Sequence, residues 1–288
     1  MSVVVVTDTT ASLTPDLAAQ WGIRLVPLTV TVAGRSYPDD EIDVSTVSQA
    51  RVTTAGPPPG AFLAALQDAP AGAVIVTVAR SLSSTNAAAQ VAASLSDVPV
   101  EVVDSATAAG AQALVVLAAV DRAVRGGDIR EVGDAARTAA KEVRLVGCLE
   151  TLDGLARSGR VPGIAALAAR KAGLQFLFTL QEGSIRPIKP AASQAAAFDR
   201  MVDMCVSSSR PGFVADVVVL GNASGIDERL ERAVRSNRVT IARRFGSSLR
   251  CGDQPLHRAA GCWTRLALAR FSDIFVTVAS TAVSRRGS

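Results

Sequence analysis

Apolar runs and alanine-rich stretches alternate along the first half of the chain. Residues 3–6 form a continuous β-branched run, residues 73–78 form a strand that looks buried, and residues 98–103 form a further predicted strand. Runs of this kind are typical of strands that are buried on both faces of a sheet. Helical stretches lie between and after them, at positions 13–21, 61–66, 87–95 and 108–124. Strands and helices that alternate at this spacing predict parallel βαβ units and an α/β domain.

The segments between these elements carry turn signals. Residues 23–32 are predicted to form one further strand, with Pro27 marking an edge or a bend. Residues 34–43 are interpreted as a turn-rich, acidic connection. Residues 53–60 contain three consecutive prolines, which fix the backbone and remove hydrogen-bond donors, so a rigid loop is predicted there.

The second half predicts a separate α/β layer. Residues 174–180 and 185–188 flank Gln181-Glu182-Gly183-Ser184, which is a hairpin signal, and residues 213–220 form another apolar strand. We therefore expect two α/β domains. The first, residues 1–145, is a parallel-sheet, Rossmann-like layer with hydroxyl-rich loops, and the second, residues 146–288, is a mixed sheet with helices.

Composition excludes several classes of protein. With 49% hydrophobic and 19% charged residues, the 288-residue chain predicts a compact globular protein. No apolar run reaches the roughly 18 residues that a membrane span needs. The first residues lack the basic region and the cleavage site of a signal peptide, so we expect a cytoplasmic location.

Cysteine and histidine limit the chemistry further. The four cysteines show no CxxC spacing, so neither a zinc motif nor a redox motif is predicted. His257 is the single histidine and cannot anchor a histidine-rich metal site. The excess of arginine over lysine indicates a GC-rich genome, and the arginine-rich segments lack interleaved aromatic residues. We therefore expect no metal, no cofactor and no nucleic-acid partner.

The segment after about residue 237 is atypical. It holds nine arginines and only two acidic residues, whereas the preceding part of the chain is net negative. The segment also shows poor strand periodicity. One hypothesis is that this end of the chain is highly diverged or read in a shifted frame.

Two hydroxyl-rich junctions carry the candidate chemistry. Ser83, Ser84 and Thr85 lie between a predicted strand and a predicted helix, and Thr9 and Thr10 follow the first strand together with Asp8. The start of a helix leaves backbone N–H groups unpaired and carries partial positive charge, which suits an oxyanion such as a carboxylate or a phosphate. Ordinary capping by serine and threonine is the structural alternative.

The order of several short motifs resembles the DegV family of bacterial fatty-acid-binding proteins. The matching segments cover about residues 1–190. They read Val-Thr-Asp-Thr-Thr-Ala at 6–11, Val-Pro-Leu-Thr-Val at 26–30, Thr-Ala-Gly-Pro-Pro-Pro-Gly-Ala-Phe at 54–62, Leu-Ser-Ser-Thr at 82–85, Val-Asp-Ser at 103–105 and Ser-Gly-Arg-Val at 158–161. The chain departs from the family pattern at Ala55, Gly56, Ser84 and Ser158, and around His257.

The resemblance implies a two-domain carrier that encloses one long-chain fatty acid between its domains and is not itself an enzyme. A separate fatty-acid kinase would convert the presented carboxylate to an acyl phosphate, and peripheral contact with a membrane is allowed. No catalytic residue is expected. By the same resemblance, the carboxylate would be bound by Thr54, Ser83, Thr85, Arg160 and His257. The cleft would be lined by Asp8, Thr9, Thr10, Gly56 and Ser84.

Two alternatives stay open at this point. The chain could be a regulatory module that binds an anion or a small molecule without lipid, because the hydroxyl junctions suit any oxyanion. It could also be a hydrolase that uses Ser83 as a nucleophile. The absence of a G-x-S-x-G motif in the sequence disfavours this second alternative.

Overall fold

The computed structural model describes residues 2–42, 52–69, 71–149, 174–207, 214–220, 240–245 and 276–283. These residues belong to two compact units, which divide after Lys141. Within the described ranges, no helix has the length and the apolar character that are needed to cross a bilayer.

The first unit alternates strands and helices. In chain order its described elements are β1 (Val4–Asp8), α1 (Pro15–Gln20), β2 (Ile23–Val26), β3 (Thr29–Val32), β4 (Arg35–Pro38), β5 (Val52–Ala55), α2 (Pro59–Ala65), β6 (Ala73–Thr77), α3 (Thr85–Leu95), β7 (Val100–Asp104), α4 (Ala109–Val124) and α5 (Ile129–Glu142). Strands β2, β1, β6 and β7 form a parallel sheet in that order. The predicted parallel α/β layer is confirmed.

The core of this unit lies between the sheet and two helices. Val6 and Ile75 project from neighbouring strands onto Phe62 of α2 and Ala89 of α3, and all four side chains are fully buried. Helix α4 contacts β1 and β6 but contributes nothing to this cluster, so it covers the opposite face of the sheet. The small side chains of the alanine-rich helices let the helices approach the sheet closely.

Helix α1 shows how local sequence sets an element boundary. The Thr14 hydroxyl accepts a hydrogen bond from the backbone N–H of Leu17 at 3.2 Å, and Pro15 occupies the first helical position. Proline fits there because its missing N–H would have had no intrahelical partner. Gly22 follows the helix with a positive φ of 65°. The helix that was predicted within positions 13–21 is confirmed.

Two segments that were predicted as connections are strands instead. Strands β4, β3 and β5 form a small antiparallel sheet in that order, and the predicted strand over 23–32 is broken after Val26 into β2 and β3. Ala33 and Gly34 both have positive φ and close the turn between β3 and β4. The pattern missed β4 because all four of its residues are exposed and none alternates with an apolar neighbour.

The second unit is built on a six-stranded mixed sheet. Its elements are β8 (Arg144–Leu149), β9 (Gln175–Gln181), β10 (Ser184–Ala191), α6 (Gln194–Ser207), β11 (Val214–Leu220), β12 (Thr240–Phe245) and β13 (Val276–Val283). The order is β10-β9-β8-β13-β11-β12, and only β11 and β12 are parallel to each other. The predicted hairpin is confirmed: Glu182 and Gly183, with φ of 50° and 73°, join β9 to β10. The predicted mixed sheet is confirmed as well.

Two strands of this sheet lie in the segment where strand periodicity is poor. β12 is at an edge of the sheet, whereas β13 lies between β8 and β11 and pairs antiparallel with both. The sequence of β13 mixes valine with alanine, serine and threonine and does not alternate between apolar and polar residues. Antiparallel strands are usually recognised by such alternation, so the pattern gave no strand signal here.

Candidate functional site

Ser83 and Thr85 lie at the junction between β6 and α3. Their hydroxyl oxygens are 2.7 Å apart, and the backbone N–H of Thr85 donates to Ser83 Oγ at 3.3 Å. Thr85 is buried and Ser83 is half-buried. Asn86 ties the junction to the sheet, because its Nδ2 donates to Thr77 Oγ1 at 2.9 Å. The hydroxyl pair is therefore held at the carboxyl end of β6.

Gly56 packs directly against this hydroxyl pair. A Cβ atom at position 56 would lie 2.6 Å from Thr85 Oγ1 and 3.3 Å from Ser83 Oγ, closer than real Cβ contacts allow for the first of these. The backbone after β5 therefore approaches the two hydroxyls at a distance that only glycine permits. The structure thus brings together two segments that the family resemblance assigned to one site.

Thr54 lies in β5, two residues before Gly56. It is directly opposite Val30 in the antiparallel pair of β3 and β5. Opposite residues of such a pair project from the same face of the sheet, and Val30 is completely buried. The half-buried Thr54 side chain therefore lies on the covered face of the small sheet.

Ser84 occupies the N-cap position of α3. Its backbone is right-handed, with φ of −72° and ψ of 0°, and its exposed side chain makes no capping hydrogen bond. Serine is therefore unstrained at this position, where the family motif has glycine. The N–H groups in the first turn of a helix have no acceptor within the helix and carry partial positive charge. Together with the hydroxyl pair, they offer uncharged donors to an anion.

Asp8 joins three elements from a fully buried position. Its carboxylate oxygens accept hydrogen bonds from the backbone N–H of Thr10 at 3.1 Å, from the backbone N–H of Val78 at 2.9 Å and from Gln112 Nε2 at 3.2 Å. Val78 follows β6 and Gln112 lies in α4. Burial raises the pKa of Asp8, and the donated hydrogen bonds oppose that shift. The residue braces the start of the loop that carries Ser83.

The Thr10 hydroxyl faces two acceptors in this network. Thr10 Oγ1 donates to Asp8 Oδ1 and also lies 2.8 Å from Gln112 Oε1. One hydroxyl carries only one proton, so Thr10 donates to one of these oxygens at a time. The hydrogen bond from Thr10 is among those that lower the pKa of Asp8, against the larger effect of burial.

Asp39 is a second buried carboxyl group, which the sequence analysis did not single out. Thr9 Oγ1 donates to Asp39 Oδ2, while Oδ1 is buried and has no hydrogen-bond partner in the described part of the chain. Burial is the largest cause that raises the pKa of Asp39, to about 8, and the neighbouring acids Asp40 and Asp8 add to it. In the sequence analysis, only the acidic character of residues 34–43 and the hydroxyl groups of Thr9 and Thr10 marked the two segments that meet here.

The loop after β7 is occupied with internal bonds. Asp104 Oδ1 accepts from the backbone N–H of Ala106 at 2.8 Å, and Asp104 forms an exposed ion pair with Arg80 at 3.5 Å. The buried Ser105 hydroxyl donates to the carbonyl of Thr107 at 3.2 Å. These residues hold the turn that leads into α4.

The predicted site residues fall into three groups. Gly56, Ser83 and Thr85 are in contact, with Thr54 and Ser84 on the same two segments. Asp8 and Thr9 are buried and Thr10 is half-buried, with their polar atoms bonded inside the unit. Their role in lining a cleft stays a prediction. Arg160 and His257 lie outside the described residues.

Comparison with known proteins identifies the fold family. A family model described as "Uncharacterised protein, DegV family" matches residues 2–242. The chain belongs to the DegV family. A DegV domain-containing protein from Mycobacterium tuberculosis is 34% identical over 210 residues, which cover 70% of this chain and 75% of the relative. The resemblance that the short motifs indicated is confirmed.

Solved DegV structures share the whole fold. A fatty-acid-binding DegV family protein from Thermus thermophilus has a TM-score of 0.82 at 22% identity and covers 98% of this chain and 100% of its own. The fatty acid kinase (Fak) B3 protein from Streptococcus pneumoniae, loaded with linoleic acid, has a TM-score of 0.79 at 19% identity and covers 99% of this chain and 100% of its own. At this level of identity, the likeness shows the fold.

The raised pKa of Asp39 predicts how stability depends on pH. The folded-state pKa of about 8 exceeds the ordinary value of 3.8, so the folded protein binds more protons between these values. The free energy of unfolding should therefore fall as the pH rises from about 5 to 8, by up to about 1 kcal/mol per pH unit. Asp39→Asn should remove that part of the slope. Urea unfolding of both proteins across this range tests the expectation, and parallel curves would contradict it.

Proposed function

We propose that this DegV protein binds a long-chain fatty acid and presents its carboxylate to a fatty-acid kinase. The supporting observation is the contact of Gly56 with the Ser83–Thr85 hydroxyl pair at the start of α3. The names of solved relatives add to it, since one is a fatty-acid-binding protein and another is a fatty acid kinase B3 protein loaded with linoleic acid.

We call the proposed carboxylate site at Thr54, Gly56, Ser83 and Thr85 the pocket. Its chemistry fits a carboxylate. Its donors are hydroxyl and backbone N–H groups, which stabilise a negative charge without supplying a competing anion. The acyl chain contributes through burial, at about 0.8 kcal/mol for each methylene that leaves water. A long acyl chain therefore binds tightly even when few polar groups hold its head.

In acyl phosphate formation, a carboxylate oxygen of the ligand forms a bond to the phosphorus that the kinase transfers, while the bond between that phosphorus and the kinase's phosphoryl donor breaks and the donor leaves with the electron pair. We assign Arg160 and His257 to this end of the ligand on the family resemblance. A guanidinium there would offset the charge that accumulates as two anions approach each other. In this assignment the protein is a carrier, and the kinase performs the chemistry.

The contacts of Ser83 disfavour the hydrolase alternative. Its hydrogen bonds in the described chain are with Thr85, which is neither a base nor an acid. A serine nucleophile needs a neighbouring base that removes its proton. Among the described residues, no contact supplies Ser83 with such a base, so these contacts suit hydrogen bonding better than attack on an ester.

Extraction of the purified protein with organic solvent, followed by mass spectrometry, tests the proposal. We expect about one long-chain fatty acid per chain, because a ligand bound through so much apolar surface survives purification. A denatured sample extracted in parallel reports the total lipid, and unrelated protein from the same host reports the background. If the purified protein is lipid-free and also fails to take up added linoleic acid, the proposal is contradicted. The regulatory module that binds an anion without lipid would then be the remaining alternative.

Ser83→Ala should weaken linoleic-acid binding by about 1–3 kcal/mol, the range for leaving a buried charged partner without its donor. The matched control is Ser94→Ala in α3, the helix that follows Ser83. The exposed Ser94 hydroxyl donates only to the carbonyl of Val91, at 2.7 Å. Titration of delipidated protein measures both affinities. Equal affinities for the two variants would exclude Ser83 as a carboxylate ligand.

Gly56→Ala should also weaken binding, by about 1–3 kcal/mol. The added methyl group would lie 2.6 Å from Thr85 Oγ1 and push apart the two segments that form the pocket. Gly60→Ala, in α2, is the control, because its methyl group would meet nothing within 4 Å. Affinity and melting temperature should be measured together. A loss of affinity with Gly60→Ala as large as with Gly56→Ala would remove the steric explanation.

A further inference from the structure

Asp39 connects the two sheets of the first unit. It follows the last residue of β4, and β4 belongs to the small sheet through its pairing with β3. On the other side of β3 is β5, which leads directly to Gly56. Thr9, the hydrogen-bond partner of Asp39, follows β1 of the parallel sheet. A change at the contact between Asp39 and Thr9 would therefore be transmitted through the small sheet to the segment at Gly56, which packs against Ser83 and Thr85.

Three hydrogen bonds close the contact into a ring. Thr9 Oγ1 donates to Asp39 Oδ2 and accepts from the backbone N–H of Leu28 at 3.2 Å. The backbone N–H of Asp39 donates to the carbonyl of Leu28 at 2.9 Å. Thr9 and Asp39 are buried, with 2% and 0% of their surface exposed. The small sheet is thus fastened to the end of β1 at one defined point.

The charge of Asp39 decides whether this ring is favourable. In the ionised form, Oδ1 would be a buried negative oxygen with no donor among the described residues, next to Asp8 and Asp40. Both groups that act on it through charge are acids, one at the end of β1 and one on its own turn. The hydrogen bonds with Thr9 and Leu28 favour the ionised form, but burial and the two neighbouring acids outweigh them. A proton on Oδ1 removes the buried charge while Oδ2 still accepts from Thr9, so the closed, buried ring is most favourable with a neutral carboxyl group.

We propose that Asp39 is a proton-dependent clasp that positions the Thr54–Gly56 side of the pocket against Ser83 and Thr85. When the carboxyl group ionises, it draws water or opens away from Thr9, and β5 loses its fixed position. Fatty-acid binding then weakens. This part of the inference rests on the function proposed above, whereas the opening of the clasp does not. By linkage, a bound fatty acid raises the affinity of Asp39 for its proton.

The first test is the pH dependence of affinity. Delipidated wild-type protein and Asp39→Asn are titrated with linoleic acid between about pH 6.5 and pH 9.5. The asparagine stays neutral, so its affinity should follow only the titration of the ligand, which both proteins share. The wild-type dissociation constant should rise faster above about pH 8, by up to about tenfold per pH unit relative to the variant. Identical pH profiles would overturn the clasp.

The second test needs neither ligand nor variant. Amide hydrogen exchange of residues 52–56 in the wild-type protein is compared at about pH 7 and pH 9, after correction for intrinsic exchange, with β6 as the internal reference. Faster exchange of residues 52–56 alone supports the clasp. If that occurs while no fatty acid binds at any pH, the clasp stands and the proposed function falls. If fatty acid binds and neither measurement depends on pH, the function stands and the clasp falls.

Discussion

The carboxyl group of Asp8 is the point on which the first unit depends. It lies at the end of a central strand and accepts hydrogen bonds from the residue that follows β6 and from α4. A buried carboxyl group is tolerated only when its oxygens are paired, because an unpaired buried charge is costly. One side chain therefore ties the end of β1 to the loop that carries Ser83 and to α4. The site at Ser83 takes its position from this arrangement.

The proposed carboxylate ligand restricts the charges that this unit can bury near it. Buried carboxylates beside it would repel a carboxylate ligand, since like charges in a poorly solvated site interact strongly. Burial raises the pKa of both Asp8 and Asp39 and favours their neutral forms. Acidic residues can then serve as hydrogen-bonding braces without opposing the ligand. The donors proposed for the ligand among the described residues, which are hydroxyl and backbone N–H groups, are uncharged as well.

The sequence predicted those features that repeat a strong local pattern. The parallel layer followed from continuous β-branched runs, and the hairpin followed from Glu182-Gly183 between two apolar strands. The small sheet escaped prediction because β4 is exposed and its turn is an alanine and a glycine rather than an asparagine and a glycine. The contact of Gly56 with Thr85 and the burial of Asp39 arise from that sheet. Both join segments that are distant in sequence, so no local pattern could have indicated them.

Strand β13 has a consequence for how the second unit is made. It is the last of the described strands, yet it lies between β8 and β11 and pairs with both. During synthesis, those two strands leave the ribosome long before the strand that joins them. Until then each exposes a row of unpaired backbone groups, which is a template for association with other chains. The sheet of the second unit is therefore completed only after β13 has been made.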